Sequence, residues 1–148
     1  CRTDLAAARA LIEAQSQPPT HGWFQCAIRR REDDTLIGDL GVRLPEDPQD
    51  SVEFGISIAP AHQDHGYSSE AARALFAFVF DGLGRHRVHA SVDPRNFASM
   101  AMLRALGMRQ EAHHRENLWF RGEWVDDVIF AMLDHEWRIR QASRPHHG

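Results

Sequence analysis

Glu53-Phe-Gly-Ile-Ser-Ile-Ala-Pro-Ala-His-Gln-Asp-His-Gly-Tyr-Ser-Ser-Glu-Ala71 is the stretch whose reading decides the fold. From Val52 to Ile58 it predicts a strand, with Phe54, Ile56 and Ile58 on one face at a period of two. After Pro60 comes a short polar loop, His62 to Ser69, and then a helix with Ala71, Leu75, Phe78 and Val79 as its apolar stripe. Gly82 or Gly84 ends that helix. The first amides of a helix have no partner within it, and the helix dipole puts positive potential there. Gly66 lets backbone approach a ligand closely. Strand, glycine loop and helix mouth together make an anion site, most naturally for a phosphate. An ordinary turn can have the same pattern, so the loop alone assigns no function.

Working outward, Leu5, Ala8, Leu11 and Ile12 predict a helix that Pro18-Pro19 ends. Phe24–Ile28 and Leu36–Leu44 read as strands around a solvated tip at Arg29–Asp34, with Gly38 and Gly41 as bulge or close-approach sites. Beyond the central helix, Arg87–Asp93 alternates with Val88, Ala90 and Val92 inward. Asn96 caps a short helix through Leu106, and Gly107 suits its C′ position. A hairpin follows, about His113–Phe120 and Trp124–Leu133 around Arg121-Gly122, with Trp119 and Trp124 expected in the core or lining a cleft. From Arg138 a polar tail is expected to be loose. One domain over 1–137 and a flexible tail over 138–148 are therefore expected. The order, with three hairpin-linked strands before the first crossover, is that of a mixed α/β domain rather than a purely parallel sheet.

Composition narrows the chemistry. A chain of 148 residues with 43% hydrophobic and 26% charged content has ordinary globular make-up, which excludes a disordered or fibrous chain. All 17 basic residues are arginine, which removes lysine Schiff-base and P-loop chemistry. A net charge of −4 argues against nucleic-acid and anionic-membrane partners. Two cysteines, Cys1 and Cys26, give no disulfide framework and no zinc set, and Cys26 reads as a small buried hydrophobe. The ten histidines include His62/His65 and His86/His89, but no cysteine or carboxylate completes a four-ligand set, so no metal is expected. With no long apolar run, the expectation is a soluble cytoplasmic domain.

Several segments together carry a resemblance. Gln63-Asp-His-Gly66-Tyr-Ser68 resembles the Q/R-x-x-G-x-G/A pyrophosphate loop of the GNAT N-acyltransferases. Around it stand Phe54-Gly-Ile-Ser-Ile58, Tyr67-Ser-Ser-Glu-Ala71, His86-Arg-Val-His-Ala90, Asp93-Pro-Arg-Asn96, Ser99, Leu106-Gly-Met108 and Gly122-Glu-Trp-Val-Asp126. In that order they are similar to the branch containing the Rim-type ribosomal-protein acetyltransferases, over about residues 22–137. The resemblance implies a GNAT-like mixed sheet in which two parallel strands, Glu53–Ile58 and Arg87–Asp93, splay apart. It implies acetyl-CoA as co-substrate and direct transfer of the acetyl group to a primary amine, whether a protein N-terminus or a small molecule. Backbone groups of Ile56, Ser57 and Ile58 would hold the pantetheine arm. The loop residues Gln63, His65, Gly66, Tyr67, Ser68 and Ser69 would hold the pyrophosphate. Asn96 and Ser99 would face the far side of the coenzyme, although Asn96 reads equally as a plain cap.

For proton transfer the candidate carboxylates are Glu53, which reads equally as a surface charge, and Glu116, which rests on the resemblance. Many relatives supply a tyrosine for the departing thiolate; the one tyrosine here, Tyr67, is in the phosphate loop, so Ser99 or a water takes that role, or the coenzyme leaves as thiolate. The chain departs from the family at Asp64 and Ser68, where glycine, and glycine or alanine, are usual, and His65 stands where a basic residue is usual. A histidine is charged only near or below its ordinary pKa of ~6.5, so coenzyme affinity is expected to rise as pH falls towards 6. Glu111, Glu116, Glu123, Asp126 and Asp127 on the hairpin suit either a cationic amine or simple solubility. Relatives usually carry a strand and helices ahead of the point where this sequence opens at Cys1. A leading segment is therefore expected to be missing, with a second subunit, as a homodimer, covering the open side. The alternative function is a catalytically weak acyl-CoA-binding regulatory domain.

Overall fold

Apolar alternation turns Val52, Phe54 and Ile56 to one side of an extended chain. In the computed structural model, which describes residues 22–30, 33–63 and 66–143, that chain lies inside a mixed sheet. The strands are β1 (Gly22–Arg29), β2 (Leu36–Leu44), β3 (Val52–Ile58), β4 (Arg87–Val92), β5 (Arg109–Phe120) and β6 (Glu123–Leu133). The helices are α1 (Tyr67–Phe76), continued by a π-helical turn over Ala77–Gly82, then α2 (Phe97–Ala105) and α3 (Asp134–Ser143). Among the described residues the sheet is six-stranded, in the order β1-β2-β3-β4-β6-β5. Every neighbouring pair is antiparallel except β3–β4. The mixed α/β architecture is the expected one. The helix expected over Leu5–Ile12 lies outside the described residues, as do Asp64, His65 and the last residues of the tail.

The helices pack on the apolar face of the sheet. Leu75, Phe76 and Val79 of the α1 segment are fully buried, with Phe54, Val88 and Phe130 beneath them. Phe76 sets its ring edge against Phe54 at 5.4 Å and against Trp137 at 5.8 Å, and Phe80 stacks on Trp137 at 6.0 Å. Arg85 is also buried. It donates to the carbonyls of Pro45 and Asp47 at 3.3 and 3.1 Å, tying the β2–β3 loop to the end of the central helix. Among the described residues, no helix is long and apolar enough to cross a membrane.

Three local expectations need correction. The segment from Arg138, read as loose, is helical to Ser143. Trp137 anchors it in the aromatic stack, and Arg138 pairs with Asp134 at 2.6 Å. That helix shows no apolar stripe in sequence, Ile139 faces outward, and the stack holds it together with the Arg109–Glu136 pair and a bond from Arg140 to the Ala105 carbonyl. The hairpin begins at Arg109 rather than His113, since β5 is an almost wholly exposed edge strand whose pairing with β6, not alternation, extends it. Trp119 and Trp124 are not core residues. They are 63% and 57% exposed at the hairpin tip, in edge contact with each other at 5.3 Å. The sheet's buried face ends before them, at Val125.

Candidate active site

The site begins where the parallel pairing stops. β3 and β4 are joined at only two rungs, Val52↔Val88 and Glu53↔His89. Beyond them β3 stays bound to β2 through Ile58, and β4 stays bound to β6 through Val92, so the two halves of the sheet diverge. The amide of Ala59 bonds the carbonyl of Ile37 on β2 at 2.8 Å. In an antiparallel ladder alternate residues direct both backbone groups to the same neighbour. Ser57 therefore belongs to the β2 ladder, opposite Asp39, while Ile56 and Ile58 direct amide and carbonyl into the split. The Ile58 carbonyl accepts the side-chain amide of Gln63 at 3.1 Å, as this alternation requires.

Gly66 opens α1 at φ +77, a left-handed conformation that suits glycine, and among the described residues a Cβ there would meet nothing within 4 Å. Among the described residues no side chain caps the helix, and a bond runs from the Glu70 amide to the Gly66 carbonyl at 3.1 Å. Ser68 and Ser69 of that first turn line the split, with the positive end of the helix dipole behind them. On the far side, α2 starts at Asn96, whose Oδ1 accepts the Ser99 amide at 3.1 Å. A cavity of about 480 Å³ fills the space between. Ile56, Ser57, Ile58, Gln63, Gly66, Ser68, Ser69, Asn96 and Ser99 all line it, so one cleft brings together most of the residues expected to hold a coenzyme.

The remaining candidates lie differently. Tyr67 is half-buried against the core, with its hydroxyl bonded to the Arg30 guanidinium, and does not line the cleft. His65 lies outside the described residues. Ala98 and Met102 complete the wall, unremarked in the sequence, though Met102 follows Ser99 by one helical turn. Glu53 is partly buried on the last rung before the split, 3.4 Å from Arg43 Nε. Glu116 sits at φ +45 where the β5–β6 register shifts, its amide donating to Asp126 Oδ1 at 2.8 Å, and it does not line the cavity. Cys26 is fully buried, and burial pushes its thiol pKa up, away from nucleophilic use.

The hairpin acids form local pairs. Glu111 holds Arg87 at 2.7 Å and Arg109 at 2.8 Å, Glu123 holds Arg95 at 3.0 Å, and Asp126 holds His113 at 2.7 Å. Asp127 accepts from the Ser91 hydroxyl. A second cavity, about 510 Å³, adjoins the cleft by sharing Ser57 and Ile58, and Gln25, Ala27 and Asp39 form its other side. Among the described residues, no group of three or more His, Cys, Asp or Glu is placed to hold a metal.

Comparison with known proteins bears on this geometry. The family model described as an acetyltransferase (GNAT) domain matches residues 2–109. The uncharacterized N-acetyltransferase YnaD of Bacillus subtilis is 33% identical over 107 residues, which are 72% of this chain and 62% of that protein. The ribosomal protein uS5-alanine N-acetyltransferase of Escherichia coli is 30% identical over 84 residues, 57% of this chain and 43% of that one. This chain thus spans about two fifths to three fifths of the length of these relatives. The crystal structure of the spermidine/spermine N-acetyltransferase SpeG from Vibrio cholerae shares the fold with a TM-score of 0.75 at 21% identity, covering 88% of this chain and 77% of that one. The parted parallel strands, the open helix mouth beside them and the family match agree: the chain belongs to the GNAT acetyltransferase family.

Proposed function

We propose that the chain is an acetyl-CoA-dependent N-acetyltransferase acting on a primary amine. The observation that carries this reading is the divergence of β3 from β4 immediately after Glu53, with the cleft of about 480 Å³ between the strands and the mouth of α1. Diphosphate oxygens fit the uncapped amides around Ser68 and Ser69, where a fixed donor array needs no reorganisation. Gly66 keeps that approach clear, and His65 adds charge at low pH. An amide-containing arm fits the backbone groups of Ile56 and the Ile58 amide, directed into the split beside the Ile58 carbonyl that Gln63 holds, extending the sheet by strand-like bonds. The same amides polarise a thioester carbonyl and stabilise the negative charge that grows on its oxygen, a contribution of roughly 3–4 kcal/mol for a well-aimed donor.

The amine must be neutral to attack, and Glu53 on the last rung is the proton acceptor. Glu116, outside the cleft, acts at most on the acceptor side of the hairpin. Ser99, whose side of α2 lines the cleft, supplies or relays the proton for the thiolate. With Cys26 buried, the acetyl group passes straight from sulfur to nitrogen. The second cavity, which shares Ser57 and Ile58 with the cleft, is the side from which the amine would enter, past Asp39.

Calorimetry with acetyl-CoA, followed by detection of free thiol with a panel of amines, tests the reading. The panel includes peptides beginning with alanine or serine, and polyamines. Amine-dependent thiol release supports it. Binding without release from any amine would place the chain in the regulatory class, and no binding at all would remove the coenzyme assignment.

A further inference from the structure

The last rung before the split surrounds Glu53 with polar side chains that the mechanism above does not use. Glu53 and His89 are register partners across β3–β4. His89 Nδ1 is hydrogen-bonded to Ser51 Oγ, and Nε2 lies 3.5 Å from Glu53 Oε1. Arg43, the partner of Glu53 across β2–β3, reaches the same oxygen at 3.4 Å. The His89 side chain is only 17% exposed and that of Glu53 27%. A polar chain this buried must have its protons assigned consistently. An ionised Glu53 only accepts, so Nε2, the ring nitrogen facing it, is the donor. In the neutral ring that burial favours, Nδ1 then accepts from the Ser51 hydroxyl. Burial pushes the His89 pKa down; Glu53 opposes this, and Arg87 and Arg43 reinforce it. The charged groups facing the ring are thus Glu53 of β3, Arg43 of β2 and Arg87 of β4, and β6 presents Ala131 opposite.

We propose that His89, oriented by Ser51, is a positioning residue whose Nε2–H holds the Glu53 carboxylate at the apex of the split, in the geometry that takes a proton from the incoming amine. The inference rests on the acetyltransferase reading. In the step it serves, a proton passes from R–NH3⁺ to the Glu53 carboxylate. The freed nitrogen lone pair forms the bond to the thioester carbonyl carbon as the carbon–sulfur bond breaks. Sulfur leaves with that electron pair and takes the second proton lost from nitrogen. The products are amide, free thiol and, once Glu53 releases its proton, one H⁺ in solution. Without the ring donor the carboxylate keeps only Arg43 and can turn towards it, and a misplacement of about 1 Å can cost on the order of 100-fold in rate.

Two measurements on the full chain test this. Nitrogen-15 NMR of the His89 ring should report a neutral Nε2–H tautomer at pH 7, degraded to a mixture in Ser51→Ala. An Nδ1–H tautomer, or an imidazolium at pH 7, overturns the proposal. In steady state, His89→Ala should lower kcat roughly 10- to 100-fold with KM for acetyl-CoA within about twofold. His89→Gln, which keeps an N–H donor, should restore much of kcat. A His89→Ala with wild-type kcat, or a His89→Gln no better than alanine, also overturns it. Ser51→Ala removes only the hydroxyl and should show a severalfold fall in kcat; a fully active Ser51→Ala refutes the orienting role. Failure of wild type to turn over any amine would remove the acetyltransferase reading instead, and the NMR arm would still decide the His89–Glu53 pairing.

Discussion

Gly38 and Gly55 sit in the same β2–β3 ladder, yet replacing each by alanine should have opposite effects. A Cβ built on Gly38 would lie 2.1 Å from the Ser57 carbonyl oxygen and 3.0 Å from Ile58 Cα, both of them backbone atoms that no rotamer change can move. A Cβ on Gly55 would meet nothing within 4 Å among the described residues. Both substitutions remove unfolded-state entropy, about 0.4–1 kcal/mol in favour of the folded chain where the site is compatible. At Gly55 that gain stands alone, so Gly55→Ala should be neutral or up to about 1 kcal/mol more stable. At Gly38 a contact more than 1 Å inside van der Waals distance forces the strands apart, and overpacking of this kind typically costs about 1–3 kcal/mol. The two variants should therefore differ by about 1–4 kcal/mol. At roughly 2–4 °C per kcal/mol for a chain of this size, that is a Tm difference of about 2–16 °C. Urea unfolding followed by Trp137 fluorescence and circular dichroism measures the difference directly. Because the displaced segment Ser57–Ile58 also lines the cleft, acetyl-CoA affinity should fall in Gly38→Ala and hold in Gly55→Ala. If Gly38→Ala is as stable as Gly55→Ala, the close approach of β2 to β3 is wrong, and so is the backbone alternation that directs Ile56 and Ile58 into the split.

Other consequences follow from particular contacts. Arg85→Met should cost about 1–3 kcal/mol by leaving the Pro45 and Asp47 carbonyls without their charged donor, and hydrogen exchange should rise in the 45–50 loop first. Bonding to Arg87, aided by Arg109, holds the Glu111 carboxyl below its ordinary pKa. Its folded value is thus below its unfolded one, so the stability it adds is present above about pH 4.5 and is lost as pH falls through the folded value. Glu111→Gln should be less stable than wild type at pH 7 and should match it near pH 2.5 in urea titrations. Acetyl-CoA binding by calorimetry should tighten from pH 8 to pH 6 in wild type, and His65→Ala should flatten that slope.

Much of this molecule is legible without coordinates, because the signals concerned are local. A period of two over Val52–Ile58, a glycine where a helix must open with positive φ, and an asparagine three residues ahead of Ser99 each act within one or two turns of chain. Those signals recover the mixed α/β order, the helix mouth at Gly66 and most of the cleft wall. The order of motifs adds the family, with its splayed strands. The tertiary structure decides what depends on register between distant segments. It ends the β3–β4 ladder at Glu53↔His89, which sets where the split opens and puts a histidine beside the proposed base from 36 positions away along the chain. It buries Trp137, converting an apparently loose polar segment into a helix, and leaves Trp119 and Trp124 at a tip beyond the reach of the core. Local propensity follows from the chemistry of neighbouring residues. Register and burial follow from which side chains fill one shared core, and that choice is made only when the whole sheet closes on its helices.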